Sequence, residues 1–82
     1  MLHVKVLGSG CANCQRLEAE TRAALNDAGI PFELTKVTDY AEIAGYGVLS
    51  TPALVLDEKV VAAGRIPSRS RIVELVQQNS AS

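Results

Sequence analysis

Tryptophan is absent from this chain, and its only other aromatics are one Phe and two Tyr. With 48% of the 82 residues hydrophobic, the core has to be aliphatic, filled by Val, Leu, Ile and Ala. A domain of this size buries only about 60% of the surface its unfolded chain exposes. Charge of one sign is lacking too. Eight Lys plus Arg stand against nine Asp plus Glu, a net charge of −1, which offers no electrostatic footprint for nucleic acid or an anionic membrane. No apolar run is long enough to span a bilayer. Met1 leads straight into a strand, without a charged n-region, an apolar h-region or a small-residue cleavage site. A cytoplasmic protein with no nucleic-acid and no membrane partner is expected. There is no linker, repeat or low-complexity stretch, so residues 1–82 are expected to form a single domain acting as a monomer.

Cysteine is scarce, and its placement is informative. The two in the chain are Cys11 and Cys14, in Cys11-Ala12-Asn13-Cys14. They follow a short apolar strand, Leu2 to Leu7, and precede a run with helical spacing. Two cysteines three apart at a helix start lie within disulfide reach, and the first faces the partial positive charge of unpaired backbone N–H groups. Such a thiol ionises easily, and the thiolate is the nucleophile of thiol–disulfide exchange. In a reducing compartment a lone pair of this kind is catalytic, redox-sensing or metal-binding rather than a structural staple.

The element reading follows from periodicity. Leu2, Val4 and Val6 alternate with His3, Lys5 and Leu7 as a first strand, with His3 and Lys5 assigned to its solvent face. From Cys11 to Ala28 a helix is predicted, with Cys14, Leu17, Thr21, Ala24, Leu25 and Ala28 on its buried face, Gly29 as its C-terminal cap and Pro31 as its stop. Pro31 to Val37 is a second strand, with Phe32, Leu34 and Val37 toward the core. Asp39 then caps a short helix that ends at Gly45 or Gly47. After Thr51-Pro52, the run Ala53 to Leu56 pairs with Lys59 to Ala63 as a hairpin, although Asp57-Glu58 lacks the Gly or Asn that positive φ angles favour. Ser68 caps the last helix, which carries Ile72, Val73, Leu75 and Val76 inward and frays from Gln77 to Ser82. Arg69 and Arg71 in its first turn oppose the dipole, and nothing local offsets them. The predicted class is α/β, in the order β-α-β-α-β-β-α, a four-stranded mixed sheet flanked by helices.

Taken together, Gly8-Ser9-Gly10-Cys11-Ala12-Asn13-Cys14, Tyr46-Gly47-Val48, Ser50-Thr51-Pro52-Ala53-Leu54-Val55-Leu56, Val60-Val61 and Gly64 resemble the thioredoxin superfamily over nearly the whole chain. The similarity is greatest to its small bacterial and archaeal thioredoxin-like, redox-active disulfide proteins. The resemblance implies a thiol–disulfide oxidoreductase and electron carrier without a cofactor. Cys11 would attack and Cys14 would resolve, on a disulfide-containing protein or small thiol substrate, with a separate reductase to recharge the pair. It further implies a cis Thr51-Pro52 bond, with Thr51 and Pro52 at the substrate. Such a bond turns the preceding backbone outward, toward an extended partner. Tyr46 and Arg65 are supporting candidates, Tyr46 anchoring the loop before Pro52 and Arg65 lying near the cysteine loop. Two departures stand out. Thioredoxins proper carry a buried Asp where this chain has Lys5, so no built-in proton acceptor for the second cysteine is visible. Glutaredoxins carry a Gly-Gly-Ser/Thr-Asp type of segment for gripping glutathione where this chain has Gly64-Arg65-Ile66-Pro67.

A competing reading uses the same two thiols. Heavy-metal chaperone modules also run strand, Gly-rich loop, Cys-x-x-Cys, helix, and two thiolates at this spacing suit Cu(I). Those modules usually have a Met where Ser9 stands, and their order is β-α-β-β-α-β without a Thr-Pro before a strand. A structural zinc site needs four ligands, and only His3 remains, on the wrong part of the first strand.

Overall fold

The computed structural model describes residues 2–8, 10, 12–48 and 50–81, with Ser80 and Ala81 described by their backbone alone. The elements are β1 (Leu2–Leu7), α1 (Ala12–Asp27), β2 (Phe32–Val37), α2 (Tyr40–Gly45), β3 (Ala53–Leu56), β4 (Lys59–Ala63) and α3 (Arg69–Ala81). The sheet order is β2-β1-β3-β4. β1 runs parallel to β2, with Leu2 opposite Phe32 and Leu7 opposite Val37. It runs antiparallel to β3, which pairs antiparallel with β4 across an irregularity between Leu54 and Val55.

Alternation along the strands divides the interior in two. Val4, Val6, Leu54 and Leu56 face α1 and α3, where they pack with Leu17, Ala24, Leu25, Ile72, Leu75 and Val76. Leu7, Ala53 and Val55 point the other way, with Val37 and with Ile43 from α2. Phe32 and Leu34 join the first cluster and Val37 joins the second. The three therefore do not share one core face, because two of them sit at even positions of β2 and one at an odd position.

Helix ends follow local chemistry. At the end of α1 the Ile30 amide donates to the Leu25 carbonyl at 3.0 Å, and the Gly29 amide to the Asn26 carbonyl at 3.1 Å, with Gly29 at φ +69°. This is a Schellman closure, and Ile30 packs into the cluster that holds Leu25. The helix stops one turn position before Ala28, which is exposed rather than part of the buried face. At α2 the Asp39 carboxylate accepts from the Ala41 amide at 2.9 Å. At α3 the Ser68 hydroxyl accepts from the Arg71 amide at 3.2 Å.

Three further expectations need correcting. Gln77 to Ala81 are helical rather than frayed, and the Asn79 side chain donates to Asp57 at 3.0 Å; Ser82 lies outside the described residues. Arg69 and Arg71 are compensated: Arg69 Nε lies 2.7 Å from Glu20 with Asp27 at 3.9 Å, and Arg71 lies 3.1 Å from Glu74. Lys5 is not on a solvent face. Its ammonium lies 2.7 Å from both Glu58 Oε1 and the Tyr46 hydroxyl, and that hydroxyl donates to Glu58 Oε2 at 3.0 Å. α2 and the turn after it cover this side of β1, so an odd position there is half-buried and requires a partner.

Candidate active site

The site forms where the carboxyl ends of β1 and β2 meet the start of α1. The Gly8 amide continues the ladder by donating to the Val37 carbonyl at 2.9 Å. The chain then turns through Gly10 at φ +85°, a conformation that L side chains rarely adopt. Gln15 donates to the Gly10 carbonyl at 3.3 Å and ties the loop to the helix. The first turn of α1 carries no acidic side chain, so its positive dipole end is not neutralised locally. Cys14 lies in that turn and is buried, 5% exposed. Cys11 and Ser9 fall outside the described residues.

Gly8 connects the two halves of the site. A Cβ placed on it would overlap Cys14 Sγ, and would lie 3.3 Å from Cys14 Cβ and 3.9 Å from Thr51 Cβ. Cys14 and Thr51 thus flank the same stretch of backbone. Thr51 is exposed and Pro52 buried. The Thr51–Pro52 bond is cis, and the Pro52 carbonyl accepts from the Gly64 amide at 2.8 Å. A Cβ on Gly64 would come within 2.9 Å of Ser50 Cβ, so the bend after β4 also packs against the segment leading into Pro52.

The two supporting candidates have contacts of their own, Tyr46 packing against the cluster that holds Ala53. Tyr46 is engaged with Lys5 and Glu58, as described above. Arg65 is exposed and lines a depression of about 180 Å³ with Val61, Ala62, Pro67, Arg71 and Leu75. A separate small cavity of about 60 Å³ opens beside Cys14, lined by Val6, Gly8, Gly10, Gln15, Glu18, Lys36 and Thr38. Its charged pair is Glu18 and Lys36, 3.2 Å apart, and the second Glu18 oxygen lies 3.1 Å from Arg22. Burial pushes the Glu18 carboxyl up, but the hydrogen bonds and charges of Lys36 and Arg22 together outweigh it and hold the group below the usual carboxylate range. Sequence spacing puts Glu18 one helical turn from Cys14 on the same face of α1. The signal was there, but its pairing with Lys36 crosses from α1 to β2.

A family model described as a thioredoxin domain matches residues 2–77. The chain belongs to the thioredoxin family. It is 33% identical over 76 residues to a thioredoxin of Methanothermobacter thermautotrophicus, covering 93% of this chain and 99% of that one. A thioredoxin of Methanocaldococcus jannaschii is 36% identical over 74 residues, covering 90% of this chain and 85% of the relative. Membership carries a function of the thiol–disulfide oxidoreductase kind. Among solved structures, thioredoxin-2 of the malaria parasite superposes with a TM-score of 0.71 at 18% identity, covering 95% of this chain and 82% of that one. Thioredoxin f2 of Chlamydomonas reinhardtii gives 0.59 at 15% identity, covering 95% and 78%. These two likenesses concern the thioredoxin fold alone.

Proposed function

We propose that this thioredoxin-family chain exchanges disulfides through Cys11 and Cys14, with Cys11 as the attacking and Cys14 as the resolving thiol. The observation that carries the reading is the packing of Cys14 Sγ against Gly8 with Thr51 on the same stretch of backbone. It supports a role for the Thr51 main chain, near the second cysteine, in holding an extended substrate. In the reducing direction the Cys11 thiolate attacks one sulfur of a substrate disulfide, forming a mixed disulfide and releasing one substrate thiolate. The Cys14 thiolate then attacks the Cys11 sulfur. That step releases the second thiolate, closes the Cys11–Cys14 disulfide and delivers two electrons to the substrate. A reductase restores the dithiol, and a reducing cytoplasm suits the cycle. Thr51 and Pro52 bind the substrate backbone, and the reading assigns no step to Tyr46 or Arg65. The element order β-α-β-α-β-β-α supports exchange over Cu(I) carriage, whose modules run differently.

The test is turnover of a model disulfide by the parent protein, Cys11→Ser and Cys14→Ser, with a strong Cu(I) chelator present. Activity that survives the chelator and vanishes in Cys11→Ser, together with a mixed disulfide trapped by mass in Cys14→Ser, is the expected result. Tight Cu(I) binding without exchange would overturn it.

A further inference from the structure

Resolution requires Cys14 to lose its proton, and burial of a thiol disfavours its thiolate. On β1 the acidic position of thioredoxins proper is Lys5, which faces α2 with Glu58 and Tyr46; Val6 lines the Cys14 side instead. Among the described residues lining the Cys14 cavity, Val6, Gly8 and Gly10 have no basic side chain. Gln15 donates to a carbonyl, Thr38 carries a hydroxyl and Lys36 is paired with Glu18. Glu18 is the one carboxylate there. Its side chain is 17% exposed, so it borders the cavity while remaining in touch with solvent. The cavity, at about 60 Å³, exceeds the roughly 10–15 Å³ that one water needs.

We propose that Glu18, anchored by Lys36 and Arg22, relays the Cys14 proton to solvent through water in their shared cavity. The inference rests on the exchange reading above. The S–H bond of Cys14 breaks as a water takes its proton, that water passes a proton to a Glu18 oxygen, and the exposed edge of the carboxyl returns it to bulk. The resulting thiolate attacks Cys11. With both oxygens held by cations, the carboxylate keeps a fixed aim and has lone pairs left over for a water. Held below the ordinary carboxylate range, it is ionised at neutral pH and free to accept, and as a weak base it passes the proton on to solvent rather than keeping it.

The test uses a symmetrical disulfide of a chromophoric thiol in single-turnover mixing, where the first thiol released reports Cys11 attack and the second reports resolution. In Glu18→Gln the first release should keep its rate, while the second slows about tenfold or more and becomes steeply dependent on pH. In Glu18→Ala, added formate should restore the second step without changing the first. Thermal unfolding of each variant verifies the fold. A second step within twofold of the parent in Glu18→Gln at every pH would overturn the relay, and so would equal slowing of both steps, which marks a structural role. If the parent releases neither thiol, the exchange reading itself fails; if the parent completes both releases and the variants match it, only the relay fails.

Discussion

The sulfur of Cys14 occupies the space that a side chain on Gly8 would need. Gly8→Ala therefore forces Cys14 to move, while Thr51 Cβ, at 3.9 Å, stays in ordinary contact. It should cost about 1–3 kcal/mol, as overpacking does, and lower exchange activity with it. Gly10→Ala is the matched comparison, because nothing lies within 4 Å of its Cβ position and only its φ of +85° resists substitution. That variant should lose stability without displacing Cys14. Urea midpoints and disulfide turnover measured on both variants check the pair, and equal retention of activity would contradict the packing argument.

The hairpin turn depends on side chains rather than on glycine. Asp57 and Glu58 hold φ of +47° and +71°. The Asp57 carboxylate accepts from the His3 amide at 3.0 Å, and the Asp57 amide donates to the His3 carbonyl at 2.8 Å. Asp57→Asn keeps an acceptor and tolerates the left-handed region, so its melting temperature should stay close to the parent's. Asp57→Ala keeps neither and should melt clearly lower. Thermal scans followed by circular dichroism decide the order.

Ser68 is the N-cap of α3, its hydroxyl accepting from the Arg71 amide. Ser68→Ala should cost about 0.5–2 kcal/mol, and Ser68→Asp should recover most of it, since either oxygen accepts the same bond. Chemical denaturation read at one wavelength is sufficient.

Stability should fall in acid. Glu18, Glu20, Asp57 and Glu58 are all held below their usual values: Glu18 by Lys36 and Arg22 against its own burial, Glu20 chiefly by Arg69, Asp57 chiefly by the His3 amide, and Glu58 chiefly by Lys5. A depressed carboxyl stabilises the fold above its unfolded value, near pH 4, and that contribution is lost as pH falls through the folded value. Lys5 is raised, chiefly by Glu58 and Tyr46, so its contribution is complete below about pH 10.4 and fades only above it. Midpoints should be flat across the neutral range and drop below about pH 5. A midpoint that held steady down to pH 3 would contradict these pairings.

Features written in neighbouring residues were legible in the sequence. Gly29 followed by Pro31 marked the stop of α1, Asp39 and Ser68 marked two caps, and alternation in β1 marked which side chains share a face. What escaped was long-range. Alternation put Lys5 opposite Val4 and Val6, but only α2 folding back over that face makes its side half-buried. Arg69 found Glu20 from α1, forty-nine residues away in the chain, whereas the Arg71–Glu74 pair was local and could have been read from i,i+3 spacing. At the site, Cys14 on the buried face of α1 could be read from helical spacing. The cavity that joins it to Lys36 could not, because β2 supplies its far wall.

The sheet is covered unequally. One face lies under two long helices, α1 and α3, and the other under the six residues of α2 with Tyr46 and Val48. Amide protection should follow that difference in depth. The α2 amides should exchange with deuterium by a limited opening that leaves α1 and the central strands intact, while those of β1 and β3 exchange only when the whole domain unfolds. The segment that leads into Pro52 follows α2 and its turn directly, so the backbone proposed to hold substrate adjoins the layer expected to open first.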